Sequence, residues 1–411
     1  MPVRLEPGNP HPLPSTSCSE AMPSSSYSVE SITAQDEIVR LCEDWDRLSS
    51  VSSSPNVFAT FDWFQTWYQH IVRTEGSARL QPNVLALKRN GAITGIAPLT
   101  RSVVQRFGFE MRRLQFAARN QEWDYNDLLV GDNRREQTAA LCQFLSQTKS
   151  GWELVDLMDV RDVDGAVDEL RGAVQDAGLA CAVLPTEERC PYMTIDGSWE
   201  EMLSRRSSVT RHSFRNRQSR LNRTLGEGLQ MRILDAPHTE PGLLERMIEL
   251  EAQKRSGGKL SVPFLGKNAD VFGAVFDKLG PKGWLCVTVM EWKDRLISWH
   301  LLFRCGGKLW GYLTAYDHEF ARLSPGGLLI PAIIDYGFAH GCTEYDFLSG
   351  EESYKMQWAT GFHERKRLLI WNDRWQSRLC AAAFRKLRVR TTASRAAGEP
   401  PDANSTAIRK E

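Results

Sequence analysis

Apolar positions run through NVLALKRNGAITGIAPLTRS (residues 83–102) in two stretches separated by Asn90-Gly91. Asn-Gly between two such runs predicts a hairpin, because both residues accept the positive φ of a tight turn. MRRLQFAA (111–118) and NDLLV (126–130) predict further strands, and RREQTAALCQFLSQ (134–147) has the helical period. WELVDLMDV (152–160) then reads as a buried strand. The same order returns later. GWLCVTVMEWKDRLISWHLLFRCGGKLWGYLTAYD (283–317) predicts three strands turning at Lys293-Asp294 and Gly306-Gly307. A helix is expected over 326–340 with Gly341 as its C′ residue, followed by a closing strand in CTEYDFLSG (342–350). Each half is a meander, a helix and a final strand. The helix carries the chain across the sheet, so the final strand enters parallel and buried on both faces.

Two further helices frame these halves. FDWFQTWYQHI (61–71) places Phe61, Phe64 and Tyr68 on one stripe beside Trp63 and Trp67, a pattern that belongs in a core. SWEEMLSRRSSVTRHSFRNRQSRLNRTL (198–225) begins at Ser198 as N-cap, with Glu200 and Glu201 suited to the helix dipole. Between Arg205 and Arg223 it holds seven Arg and no acid. Phe214 and Leu221 mark one buried stripe; the rest is either a solvated face or a surface for a phosphorylated partner.

Composition narrows the class. The chain has 411 residues, 42% hydrophobic and 25% charged, with 51 Lys plus Arg against 51 Asp plus Glu. That length favours two units, and the charge balance gives no global pull toward nucleic acid or an anionic membrane. Nine cysteines without a C-x-x-C pair point to reduced thiols in a cytoplasm and away from a zinc site. No apolar run has the length of a membrane span, and no signal peptide is expected. Residues 1–30 and 392–411 read as disordered tails.

Candidate chemistry concentrates near the end. In ARLSPGG, Arg322 and Ser324 precede Pro325, Gly326, Gly327 and Leu328 at a helix start. Exposed amides, glycines that permit close approach and a nearby Arg suit a phosphate, although the same residues also make an ordinary capped helix start. GEESYKMQWATGF (350–362) follows the last strand, at the strand end where α/β sheets place ligands. His300, among apolar strand neighbours, reads as a core residue.

LWGYLTAYDHEFARLSPGGLLIPAIIDYGFAHGCTEYDFLSGEESYKMQWA resembles the CelD/BcsL-type acetyltransferases, a branch of the GNAT superfamily related to FemAB-type ligases. FATFDWFQTWYQHI, ITGIAPLTRS, WDYNDLLV and CPYMTIDGSWEEMLSRRSSVTRHSFRNRQSRL extend the similarity over about residues 55–375. It implies an α/β fold of mixed sheets in tandem GNAT-like units. The expected division is an N-terminal unit over 31–190 and an acyl-CoA-binding unit over 191–380. It implies acetyl-CoA or another acyl-CoA as co-substrate and diphosphate contacts from Arg322, Ser324, Gly326, Gly327 and Leu328; with the histidines and cysteines scattered, no metal is expected. The family's Arg/Gln-x-x-Gly-x-Gly/Ala pattern is only approximated, since Ser324 and Pro325 replace two of its positions. The first half has no comparable glycine turn.

Acyl transfer needs a neutral nucleophile, a stabilised oxyanion and a protonated leaving thiolate. Tyr354 is the expected general acid and Asp346 the expected base or orienting group, the alternative for Asp346 being a strand carboxylate that binds backbone. Glu352 is the second candidate base. Lys355 is expected to meet a phosphate or Glu351. Asp124, Tyr125 and Asp127 form the acceptor-side cluster or else a structural turn. The family association implies a sugar, polysaccharide precursor or cell-envelope acceptor carrying an amine or hydroxyl. The alternatives are a FemAB-like ligase using aminoacyl-tRNA and a non-catalytic binding protein.

Overall fold

The computed structural model describes residues 27–396 apart from 52–54, 77–79, 118–122, 132, 187, 254, 257–258 and 261–263. Most of both expected tails, 1–26 and 397–411, lies outside these residues, as does Ala118 of the expected strand 111–118. Residues 27–30, read as tail, open the strand Tyr27–Ile32, which pairs antiparallel with Val84–Arg89. Residues 392–396 end the helix Trp375–Ala396.

Three main sheets form. A four-stranded sheet runs Tyr27–Ile32, Val84–Arg89, Ala92–Ala97, Leu129–Val130. A six-stranded sheet runs Gln81–Pro82, Leu99–Arg106, Phe109–Phe116, Leu154–Arg161, Arg365–Trp371, Ala180–Pro185. A seven-stranded sheet runs Leu229–Leu234, Leu285–Trp292, Arg295–Cys305, Lys308–Tyr316, Glu344–Asp346, Cys190–Thr194, Gly361–His363. Arg365–Trp371 comes from the second half of the chain yet lies between two strands of the first, so the units are laced together at the end. Each helical crossover delivers a parallel strand: Phe109–Phe116 pairs with Leu154–Arg161, and Lys308–Tyr316 with Glu344–Asp346.

The hairpins follow from their turn residues. Asn90 and Gly91 have φ of 52° and 81°, Lys293 and Asp294 49° and 67°, Gly306 and Gly307 62° and 68°. Positive φ at both central residues gives the turn whose twist matches the strands it joins. Gly306 is also sterically required, since an added Cβ would lie 2.7 Å from the Pro55 carbonyl oxygen.

Four expected elements are shorter or broken. The helix over 198–225 is two, Trp199–Ser204 and Ser208–Leu225. Ser198 caps the first in a reciprocal capping box with Glu201, and Ser207 caps the second through the Thr210 N–H. A hydroxyl that satisfies its neighbours' amides this way restarts a helix. The helix over 326–340 is a single turn, Pro325–Leu328, and then Ile330–Ala339. Pro331 lacks the N–H that a continuous helix directs to the Gly327 carbonyl. The closing strand 342–350 pairs only over Glu344–Asp346, and 126–130 is a strand only at Leu129–Val130.

The largest core lies between the units. Trp63 of the helix Phe61–Glu75 packs on Phe303 and Tyr312 of the seven-stranded sheet, Phe58 packs on Trp310 and Tyr125, and Trp67 lies in the same core. Phe61, Phe64 and Tyr68 are buried with them, as the aromatic stripe required. At about 1.5–3 kcal/mol per buried large side chain, this shared core fixes the relative position of the units.

Candidate functional site

The site begins where a ladder stops. Lys308, Leu309 and Trp310 face Glu344, Tyr345 and Asp346, and pairing ends there while the first strand continues to Tyr316. The register against Arg295–Cys305 shifts between Leu301 and Leu302, leaving Tyr312 as the bulged residue beside this opening. Bulges re-aim backbone next to sites. Gly311 lets the two strands meet at the end of their pairing: an added Cβ would stand 2.6 Å from the Tyr345 hydroxyl.

The Ser324–Leu328 turn follows the long strand. Ser324 is left-handed, with φ 55° and ψ 48°. Its carbonyl accepts from the Leu328 N–H at 3.3 Å, so the amides of Gly326 and Gly327 precede the first helical bond. Nothing lies within 4 Å of an added Cβ at Gly327. At Gly326 that atom would meet Ser298 Oγ at 3.6 Å and His300 Nε2 at 3.7 Å. His300 is buried as expected of a core residue, and it also hydrogen-bonds the Gly326 backbone. Burial lowers its pKa to about 4, so it supports the turn as a neutral imidazole. The Arg322 side chain is exposed; its carbonyl lies 3.5 Å from Arg220 Nη1.

On the face toward the first unit sits a polar cluster. Asp346 is 0% exposed and accepts from Tyr125 Oη and the Leu348 N–H, both at 2.8 Å. It therefore binds backbone and also meets a side chain from the acceptor-side cluster. Burial raises its pKa, opposed by His363 and Arg161. His363 Nε2 lies 2.9 Å from Glu344 Oε1 and 3.9 Å from Asp346 Oδ2, and its ring stacks on Tyr192. Ligand atoms of Glu344, Asp346 and His363 fall within 4.8 Å of one another. Lys308 Nζ donates to the same Glu344 oxygen at 2.8 Å, so an ammonium group already compensates that carboxylate.

Asp124 joins this cluster from the loop side. Its Oδ1 accepts from the Ser349 N–H at 3.2 Å, and its carbonyl accepts from Arg365 Nη1 at 2.9 Å. Burial pushes the Asp124 carboxyl up to about 7, against the lowering effect of Arg365. Asp127 turns elsewhere: it accepts from its neighbour's N–H, Leu128, at 2.8 Å and faces Arg134 at 3.5 Å. Of the three expected acceptor-side residues, Asp124 and Tyr125 approach the ladder's end, and Asp127 does not.

Tyr354 and Lys355 lie on the short helix Ser353–Trp358. Tyr354 is half-buried against the core that holds Phe347, and burial raises its pKa so that it stays protonated at neutral pH. Lys355 is buried; it donates to the Ser349 carbonyl at 2.5 Å and pairs with Glu352 at 3.0 Å. The expected alternative partner, Glu351, is held by Arg189 at 2.9 Å. Sequence reasoning missed Glu344, His363, Lys308 and Arg365. Only the charged run HERKR (363–367) hinted at the second and fourth.

In the first unit the corresponding opening is filled. Pairing of Phe109–Phe116 with Leu154–Arg161 ends at Gln115 and Asp156. Beyond it Asn126 bridges Val160 in parallel, and its backbone bonds with Asp159 and Arg161.

Residues 208–356 match the family model described as acetyltransferase (GNAT) domain. No curated protein matches the chain in sequence. Among solved structures, that of FemX is similar with a TM-score of 0.54 at 14% identity, covering 82% of this chain and 96% of that one. A protein of unknown function from Bacteroides thetaiotaomicron gives 0.51 at 10% identity, covering 84% and 100%. A tandem GNAT protein from the clavulanic acid biosynthesis pathway gives 0.41 at 12% identity, covering 84% and 97%. Among the described residues no helix is long and apolar enough to cross a membrane. The chain thus carries a GNAT acetyltransferase domain within a mixed α/β fold, and by that match it is an acyltransferase.

Proposed function

We propose that this chain is an acyl-CoA-dependent, CelD/BcsL-type acyltransferase acting in the cytoplasm on an amine or hydroxyl of a sugar, polysaccharide precursor or other cell-envelope intermediate. The observation that carries the donor half is the parallel ladder that stops at Trp310 and Asp346, with the Ser324–Leu328 turn following the same long strand after residues 318–323. A thioester laid in the opening meets strand amides on one side, and its diphosphate reaches the amides of Gly326 and Gly327. Ser324, Leu328 and Arg322 shape and charge that turn. The filled opening in the first unit supports a division of labour: it binds no donor and instead lends Asp124 and Tyr125 to the acceptor side.

In this reading the acceptor lies between the units, near Asp346. Asp346 takes the acceptor's proton or orients the acceptor through Tyr125, with Glu352 as the alternative base. Tyr354 gives a proton to the departing sulfur, so the coenzyme leaves as a neutral thiol, and solvent restores the Tyr354 proton. Lys355 holds the loop at Ser349 in place. No step calls for a metal. The acceptor class rests on the family resemblance.

The test is a thermal-shift series with acetyl-CoA, charged tRNA and neither. Ligand at about 100 times its Kd stabilises by about 2.7 kcal/mol. The donor reading expects a rise with acetyl-CoA alone. A rise with aminoacyl-tRNA alone replaces it with the FemAB-like alternative.

A further inference from the structure

In the Arg-rich helix Ser208–Leu225, Arg217 is a half-buried guanidinium whose Nε finds no partner among the described residues. Arg205 pairs with Asp196 at 2.5 Å. Arg206 donates to the Trp358 carbonyl at 2.6 Å, and Arg211 donates to the Ser204 and Arg206 carbonyls at 3.0 and 2.5 Å. Arg206 and Arg211 thereby satisfy carbonyls at helix ends. Arg217 is half-buried, donates through Nη2 to Gln357 Oε1 at 3.1 Å, and among the described residues its buried Nε has no hydrogen-bond partner. Burial lowers its pKa, and among the described residues it forms no ion pair. A guanidinium withdrawn from water without a counter-charge is a standing cost to the folded state.

Its position suggests what offsets that cost. Arg217 meets the helix Ser353–Trp358, and Arg220, three residues on, meets the Arg322 carbonyl at 3.5 Å. The Arg-rich helix packs against both the 318–323 turn and Pro325–Leu328. It therefore spans the gap between the glycine turn and the helix that bears Tyr354. Five donors in a fixed fork suit phosphate oxygens, and the segment from 205 to 223 offers such a ligand no acidic side chain.

We infer that Arg217 and Arg220 bind the phosphates of the acyl-CoA donor, flanking the glycine turn at the donor site. This rests on the donor reading above. The phosphates in question are the diphosphate or the ribose 3′-phosphate; a phosphate on the acceptor is the competing source.

The experiment is calorimetric titration of the full chain with CoA and with 3′-dephospho-CoA, without acceptor. It compares the wild type with Arg217→Gln, Arg220→Gln and Gly327→Asp, with Tm measured for each. Arg217→Gln is expected to weaken CoA at least tenfold while Tm stays level or rises, because an uncompensated buried charge is removed. A loss that persists with 3′-dephospho-CoA assigns the diphosphate; one that disappears assigns the 3′-phosphate. If Arg217→Gln binds CoA as the wild type does while Gly327→Asp does not, the inference falls and the donor reading stands. If both bind normally, the donor reading falls as well. A lowered Tm with unchanged CoA affinity makes Arg217 a structural residue and also overturns the inference.

Discussion

Gly327→Asp isolates the glycine turn from the rest of the fold. An added Cβ at Gly327 meets nothing within 4 Å, so the new side chain enters open space. An acid in the first turn of a helix is favourable to the dipole, so folding should persist. The Gly326 position is less suited, because its Cβ points at buried Ser298 and His300. If a diphosphate lies on these amides, the new carboxylate stands about 5 Å from it. At an effective dielectric of about 40, each pair of unit charges at that distance repels by about 1.7 kcal/mol. With one to two phosphate charges in range, CoA affinity should fall roughly 20- to 300-fold, at about 1.4 kcal/mol per factor of ten. Calorimetry gives the affinity, and the far-UV circular dichroism and Tm confirm the fold. A folded variant with wild-type CoA affinity would refute the placement of the diphosphate.

Other consequences follow from particular contacts. Gly311→Ala should lower stability by about 1–3 kcal/mol in urea titration, because its methyl would overlap the buried Tyr345 hydroxyl; an unchanged midpoint contradicts the close approach. Asp124 titrates near 7 in the fold and near 4 when unfolded, so the folded state binds the extra proton between those values. The stability this contributes is present below about pH 4 and is lost as pH rises through about 7. Asp124→Asn should therefore flatten the fall in stability between pH 4 and 7 relative to wild type, and parallel curves would count against a buried, raised carboxyl. Tyr354→Phe should cut kcat by roughly a hundredfold with CoA affinity retained, the size expected of a lost general acid; full turnover in that variant removes Tyr354 from the mechanism.

What could be read in the chain was local. Asn90-Gly91, Lys293-Asp294 and Gly306-Gly307 announce their hairpins because each pair must carry positive φ, and Gly341 (φ 68°) announces a helix end. The parallel closing strands follow from a crossover helix in each half. What could not be read was long-range. Nothing in RKRLLIW (365–371) says that it will pair with Leu154–Arg161 and Ala180–Pro185, because an apolar strand fits any open edge equally well. The site has the same division. The glycine turn and Tyr354 lie in one contiguous segment, so the sequence alone could name them as candidates. The pairing of Asp346 with Tyr125 joins residues 221 positions apart, and the meeting of His363 with Glu344 requires an intervening strand, Cys190–Thr194, from elsewhere in the chain. Arg217 stood out only when its neighbours' partners were known.

The most direct measurement is a crystal structure of the full chain with acetyl-CoA. The account predicts diphosphate oxygens within hydrogen-bonding distance of the Gly326 and Gly327 amides, and the thioester between residues 311–313 and 347–349. Coenzyme density at another face of the molecule, or an opening closed by its own side chains, would contradict it.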